Sequence, residues 1–398
     1  MQPIERRVYQ SPRNWLSQWG WHDFMATPTA AYVHIPFCRH RCGYCNFSLL
    51  ANREDLYERF LDALEIELSE LIQPRPVETI FVGGGTPSIL PAQQMDRLLR
   101  MLRHWMPISS TGEWSMEANP LDVSDEFCAQ TSSLGINRLS IGGQSFQLSK
   151  LQRLERDHSP AQLTASVKCA KKYFSSISLD LIFAAPDETL VGWRDDLKTA
   201  IELDVQHIST YGLTFEKGAR FWGMRERHEI LSLPEELELE LYKEAIGLLC
   251  ENEFEHYEIS NFAKPGHACK HNQNYWLGTP WWAFGPSAAR FVGSNRSVNH
   301  RGTIEYIRRI EQNRSPVEEV ERLSLDQKIR ERFVFGMRQL AGVNWNSLKS
   351  EAETATGNSI EEIILKHIEA GWMLRDGENV CLSRDGLFIS DALWSEYL

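Results

Sequence analysis

The segment AYVHIPFCRHRCGYC, residues 31–45, runs from a short apolar strand, Ala31–Ile35, straight into three cysteines: Cys38, Cys42 and Cys45. Thiolates are the ligands that iron–sulfur clusters and zinc both prefer. A structural zinc wants four ligands closed tetrahedrally, and His34 and His40 could complete such a set. A cluster held by three cysteines instead leaves one iron open to a further ligand. The choice turns on where this loop stands in the fold.

Outward from it, strand and helix candidates alternate. After Ala31–Ile35 come Thr79–Val82, Glu113–Met116, Arg138–Ile141, Ile177–Phe183 and His207–Tyr211. Between the first two, Leu56, Phe60, Leu64, Leu68 and Leu71 recur at helical spacing over Glu54–Ile72. Gln93–Trp105 and Pro160–Tyr173 read the same way, with Pro160 suited to a helix start. Strands alternating with helices argue for a parallel sheet of right-handed βαβ units. Six such units predict an α/β fold, a partial (β/α)6 barrel. Each strand candidate is followed by glycine, polar or cysteine residues: GGGTP after the second, MEANP at the third, Gly142–Gly143–Gln144–Ser145 after the fourth. The fifth carries Asp180 and ends at AAPDET; the sixth gives Tyr211–Gly212. Ligands of parallel α/β folds bind beyond the carboxyl ends of the strands, so these residues predict one shared site.

The core is thus placed at 31–215, after an N-terminal extension, 1–30, that carries no apolar stretch or small-residue cleavage site of a secretory signal. Past Gly218 the periodicity breaks. Leu233–Glu251 reads as a helix opening at Pro234–Glu235–Glu236, and an aromatic-rich region, His271–Phe291, follows in an extension placed at 216–316. Residues 317–398 read as a small α+β domain of winged-helix type, with strand-like pieces at Trp372–Leu374 and Val380–Leu382.

The net charge of −12 and the lack of a long basic run argue against nucleic acid as a partner. No apolar run is long enough to predict a transmembrane helix. Eight cysteines, five of them scattered singly, do not form the pattern of a disulfide scaffold, and a reducing cytoplasm is the expected location. For the close trio, zinc is disfavoured on two counts. The loop lies where the barrel's site would be, and the residues at the other strand ends are not metal ligands.

HIPFC-x3-C-x2-C, GGGTPS, MEANP, RLSIGGQSF and LDLIF together resemble the radical SAM family. More narrowly they resemble its branch of oxygen-independent coproporphyrinogen III dehydrogenases and HemW-type haem chaperones, over about residues 31–300. The resemblance implies a [4Fe–4S] cluster on Cys38, Cys42 and Cys45, with S-adenosylmethionine (SAM) on its open iron. It implies SAM contacts at Tyr32, at Gly84, Gly85 and Thr86 of the glycine loop, and at Glu117 and Gln144. Arg156 would meet the SAM carboxylate, Asp180 the ribose hydroxyls, and Gly212 would lie beside the adenine. Bare glycine backbone suits such an approach, and a tight turn alone would also call for it.

Within the branch, the dehydrogenases resemble C-x3-C-x2-C-x-C; here the fourth cysteine's place is Phe47, the HemW-like pattern. His271–Asn272–Gln273–Asn274–Tyr275–Trp276 matches the HNxxYW motif associated with haem binding in that group. A histidine nitrogen could ligate haem iron, with Tyr275 and Trp276 as flat faces for the macrocycle; the plain alternative is a satisfied structural histidine. Cys269 and His267 stand nearby as further ligands. Departures are AAPDET in place of GLPGQT, Gly142–Gly143–Gln144 in place of GVQ, and GPSAAR in place of GPGAHS. The reading that follows is a haem chaperone carrying a cluster and SAM, with haem as cargo, haem-receiving proteins as partners and a homodimer implied by resemblance. Oxidative decarboxylation of coproporphyrinogen III is the alternative, and radical chemistry on another substrate a third.

Overall fold

The computed structural model describes residues 27–356 and 359–398; the extension expected at 1–30 falls outside them up to residue 26. All six expected strands form, each longer than its apolar segment: β1 (Ala30–Ile35), β2 (Val77–Gly84), β3 (Ile108–Ala118), β4 (Arg138–Gln144), β5 (Ser176–Phe183) and β6 (His207–Gly212). They pair in parallel in chain order. The intervening helices are α1 (Tyr57–Ser69), α2 (Ala92–Trp105), α3 (Asp125–Ser133), α4 (Leu148–Arg153), α5 (Pro160–Ala170) and α6 (Leu190–Glu202). Helix α5 starts where Pro160 indicated, behind a reciprocal capping box between Ser159 and Gln162.

The extension adds α7 (Arg220–Glu226), α8 (Glu235–Glu251), the hairpin β7 (Glu255–Glu258) and β8 (Asn261–Ala263), and α9 (Lys270–Trp276). It then supplies β9 (Trp281–Phe284), β10 (Ala289–Val292), β11 (Asn295–Asn299) and α10 (Thr303–Glu311). Strand β9 lies parallel to β1, a seventh parallel strand that the sequence reading did not foresee. With β12 (Val317–Arg322) the sheet has twelve strands, in the order β12-β11-β10-β9-β1-β2-β3-β4-β5-β6-β8-β7. The main chain thus continues in this sheet through residue 322 before the last unit begins.

The register divides each strand cleanly. One face carries Ala31, Val33, Ile80, Val82, Met116, Leu139, Ile141, Leu179 and Ile208, all buried in one core with apolar residues of α1, α2, α5, α6 and α8. The opposite, concave face carries Tyr32 and His34, Thr79 and Phe81, Glu113 and Glu117, Arg138 and Ser140, Ser178 and Asp180, His207 and Ser209. Burying the first face drives folding at roughly 25 cal/mol per Å² of apolar area. The second supplies polar groups for a site.

Beyond residue 322, α11 (Leu325–Gly336), α12 (Trp345–Thr356) and α13 (Ser359–Glu369) pack on a small sheet of β13 (Val343–Asn344), β14 (Met373–Asp376) and β15 (Asn379–Leu382). Ile329, Phe333, Trp345, Ile364 and Val380 form its own core. Among the described residues no helix is long and apolar enough to cross a membrane.

Candidate functional site

The cysteine loop leaves β1 at Ile35 and is held from several sides. His34 places Nε2 2.7 Å from the Ser48 carbonyl and Nδ1 3.1 Å from the Tyr32 hydroxyl. Arg41 donates to the carbonyls of Phe47 at 3.0 Å and Leu49 at 2.8 Å. Cys38 Sγ lies 3.1 Å from Thr86 Oγ1, and Arg156 Nη1 approaches Cys42 Sγ at 3.6 Å. All three cysteines line a cavity of about 410 Å³, within the range of small-molecule sites, roughly 300–1,000 Å³.

The donor set fits a cluster better than a single ion. Among the described residues no three His, Cys, Asp or Glu side chains converge as one ion needs. His34 is already committed, and His40 Nε2 lies 2.6 Å from the Glu155 carbonyl. A cubane takes each thiolate on a different iron, which suits sulfurs spread round a loop. Burial pushes the Cys38 thiol up to about 12, so loading a metal there must displace a proton.

The same cavity gathers Gly84, Gly85, Thr86, Glu117, Gln144, Arg156, Asp180 and Gly212. Gly84 has φ 106°, and a side chain on it would run into the His34 ring; one on Gly85 would lie 2.6 Å from the Phe37 carbonyl. The glycines are therefore required by the turn as well as open to a ligand. The Gly84 amide donates to Glu117 at 2.9 Å. Burial, reinforced by Asp180, raises the Glu117 carboxyl to about 8, and burial also raises Asp180, to which Ser140 donates at 3.2 Å. Arg156 forms no ion pair with its chain neighbour Glu155, which pairs with Arg220 instead. Arg156 turns inward and donates to the Gly142 carbonyl at 2.8 Å, while its Nε is buried without a partner. A guanidinium, a carboxyl pair and bare backbone around one cavity suit a zwitterionic ligand bearing hydroxyls. Tyr32 stands apart. It is not among the cavity-lining residues, and its ring stacks on Phe81 instead.

Behind the cavity lies a cluster that sequence reasoning missed. Lys150 of α4 is ion-paired with Glu188 and, at 3.1 Å, with Asp196 of α6; all three are buried. Asp196 also accepts from Ser145 Oγ and the Phe146 amide, both at 2.7 Å, and Glu188 from the Ala185 amide at 3.0 Å. The cluster braces the loops after β4 and β5, where Gln144, Ala184 and Asp187 all hold left-handed backbone, at φ 66°, 61° and 61°.

A model of the radical SAM superfamily matches residues 32–200. The heme chaperone HemW of Bacillus subtilis is 32% identical over 93% of this chain and 99% of its own. That of Synechocystis is 33% identical over 82% of each chain, and that of Escherichia coli 38% identical over 63% of this chain and 66% of its own. The chain belongs to the HemW family of radical SAM proteins. Among solved structures, the coproporphyrinogen III oxidase HemN of Escherichia coli superposes with a TM-score of 0.82 at 21% identity, covering 93% of this chain and 90% of its own. That likeness establishes a shared fold.

Against the HemW pattern the departures acquire a place. Ala184 and Asp187 stand where the GLPGQT form has its two glycines, and both keep the left-handed backbone that glycine adopts freely. Glu188 stands at its glutamine and pairs with Lys150. Ala289 stands at the histidine of GPGAHS, and Arg290, at its serine, is buried against Glu67 and Asn299.

The HNxxYW residues are not brought to the cavity. They form α9, whose first amides are capped by the Glu113 carboxylate at 3.0 and 3.2 Å. His271 is buried, with Thr79 Oγ1 and the Tyr275 hydroxyl each 2.9 Å from a ring nitrogen. Thr79 is five residues up β2 from Gly84, so the two sites are separated by roughly 17 Å of strand. Burial, aided by Arg138, lowers His271 to about 3, leaving the ring neutral. Tyr275 packs on Trp281, and the Arg338 guanidinium lies 4.6 Å from the Trp276 ring centre. Cys269, also buried, directs Sγ to Glu113 at 3.4 Å. As folded, His271 is the satisfied structural histidine.

Proposed function

We propose that this chain is a haem chaperone that carries a [4Fe–4S] cluster on Cys38, Cys42 and Cys45, with SAM held by Gly84, Gly85, Thr86, Glu117, Gln144, Arg156, Asp180 and Gly212. The cluster's open iron would take the amino acid end of SAM and supply reductive chemistry when bound. The chain's own residues do the rest. Arg156 receives a carboxylate, Glu117 and Asp180 accept from amino or hydroxyl groups, and Thr86 steadies the Cys38 sulfur. Supporting the reading is one observation above others: a complete three-cysteine cavity beside Phe47, where the decarboxylating enzymes of the branch resemble a fourth cysteine. Ligation of haem by His271 would require α9 to leave Thr79 and Glu113, giving up several buried hydrogen bonds at about 1 kcal/mol or more each.

The test is anaerobic reconstitution. Iron and sulfide should reach four each per chain, SAM should alter the reduced cluster's EPR spectrum, and added haemin should give a saturable Soret shift at one equivalent. Decarboxylation of coproporphyrinogen III by the same preparation would overturn the chaperone reading in favour of the enzyme.

A further inference from the structure

Phe47 is 64% exposed at the rim of the cavity, and the site described above gives its ring nothing to do. Single exposed apolar residues are common on mobile surfaces. This one stands on a braced loop. Arg41 holds the Phe47 carbonyl, and Arg301, beyond β11, donates to the Asn46 carbonyl at 2.5 Å and its side-chain oxygen at 2.8 Å. On the other side the Ser48 hydroxyl donates to the Arg301 carbonyl, and Asn46 Nδ2 donates to Glu216 at 3.1 Å. Both neighbours of Phe47 are pinned, so the ring is held out in water by design of the loop.

The two bracing guanidiniums add a second observation. Arg41 and Arg301 are both exposed, and they donate to carbonyl and amide oxygens only; among the described residues neither is ion-paired. Two guanidiniums with no carboxylate partner of their own thus lie beside one exposed aromatic ring, in a chain whose net charge is −12. Flat apolar surface beside paired positive charge is complementary to a planar, dianionic ligand.

We propose that Phe47, Arg41 and Arg301 form the docking platform for the tetrapyrrole cargo, with the macrocycle against the Phe47 ring and its propionates on the two guanidiniums, at the cavity mouth and not at α9. The inference rests on the haem-chaperone reading. It also gives the missing fourth cysteine a meaning, since the same position supplies a face for the macrocycle.

The experiment titrates the reconstituted full chain with haemin and with haemin dimethyl ester, following the Soret band. Phe47→Ala should weaken haemin binding about tenfold and Phe47→Trp should keep it, while cluster content and SAM response stay unchanged in both. The dimethyl ester, lacking the two carboxylates, should bind the unaltered chain about tenfold more weakly than haemin. Equal haemin affinity in Phe47→Ala and the unaltered chain overturns the platform and leaves the chaperone reading standing; equal affinity for haemin and its ester overturns the guanidinium contact. An unaltered chain that binds no haemin overturns the chaperone reading and the platform together.

Discussion

Glu117 is a carboxyl kept protonated by its surroundings, with a folded value near 8 against an ordinary 4.5. The folded state therefore holds the proton more tightly than the unfolded one. Its contribution to stability is full below about pH 4.5, falls as pH rises, and is lost above about pH 8. Glu117→Gln stays neutral throughout. In melts of the cofactor-free protein, the variant should gain on the unaltered chain between pH 5.5 and 8.5; parallel curves would remove the assignment. At Ala184 the issue is backbone. An alanine at φ 61° bears a steric penalty that glycine escapes, of about 1 kcal/mol. Ala184→Gly should stabilise by about 0.5–1 kcal/mol in urea unfolding, whereas Ala184→Val, β-branched in the same conformation, should destabilise by more than that.

Between elements, the buried Lys150, Glu188 and Asp196 tie α4, the loop after β5 and α6 together. Lys150→Met strands two carboxylates and should cost about 3–5 kcal/mol, measured by chemical denaturation. Adding Glu188→Gln and Asp196→Asn should recover most of that loss. This brace was not legible in the sequence because its bonds join residues 38 and 46 apart. The cysteine loop was legible for the opposite reason, since its ligands sit within one turn of chain. The six strands could be read because each carries an apolar face, but their concave polar face was not. Thr79, Glu113, Arg138 and His207 look like strand ends or breaks until the register aligns them. Strand β9 was hidden inside an aromatic stretch that invited a ligand-binding reading, and the same stretch led to α9 being expected at a haem. Geometry separates the two, placing one strand beside β1 and one capped helix at the sheet's amino edge.

Across the whole molecule, titratable rings are buried on both faces of the sheet. His34, His207 and His271 on the concave face, and His256 stacked on Phe262 on the opposite one, are all lowered by burial first, His34 and His256 to about 4 and His271 to about 3. Each must stay neutral in the fold and takes up a proton on unfolding, so its stabilisation is present above about pH 6.5 and is lost as pH falls toward the folded value. Four such groups predict steep acid sensitivity, up to about 1.4 kcal/mol per pH unit for each. Denaturant midpoints of the cofactor-free protein between pH 7 and pH 5 should fall sharply; His271→Gln should flatten the slope by about a quarter. A pH-independent midpoint over that range would count against the buried-neutral assignment.

The pairing of β1 with β9 has a consequence in time. Trp281 lies opposite Ala30, so the strand that launches the cysteine loop gains its outer neighbour only after about 250 further residues have been made. Arg301, which grips the loop at Asn46, comes later still. At roughly 5–20 residues per second, the three thiols leave the ribosome on the order of 10–50 s before their final scaffold exists. Iron offered during that interval meets a flexible peptide, and iron offered afterwards meets a built cavity. On the proposed reading, cluster insertion would be the closing event of this chain's synthesis, even though the three cysteines are among the first residues translated.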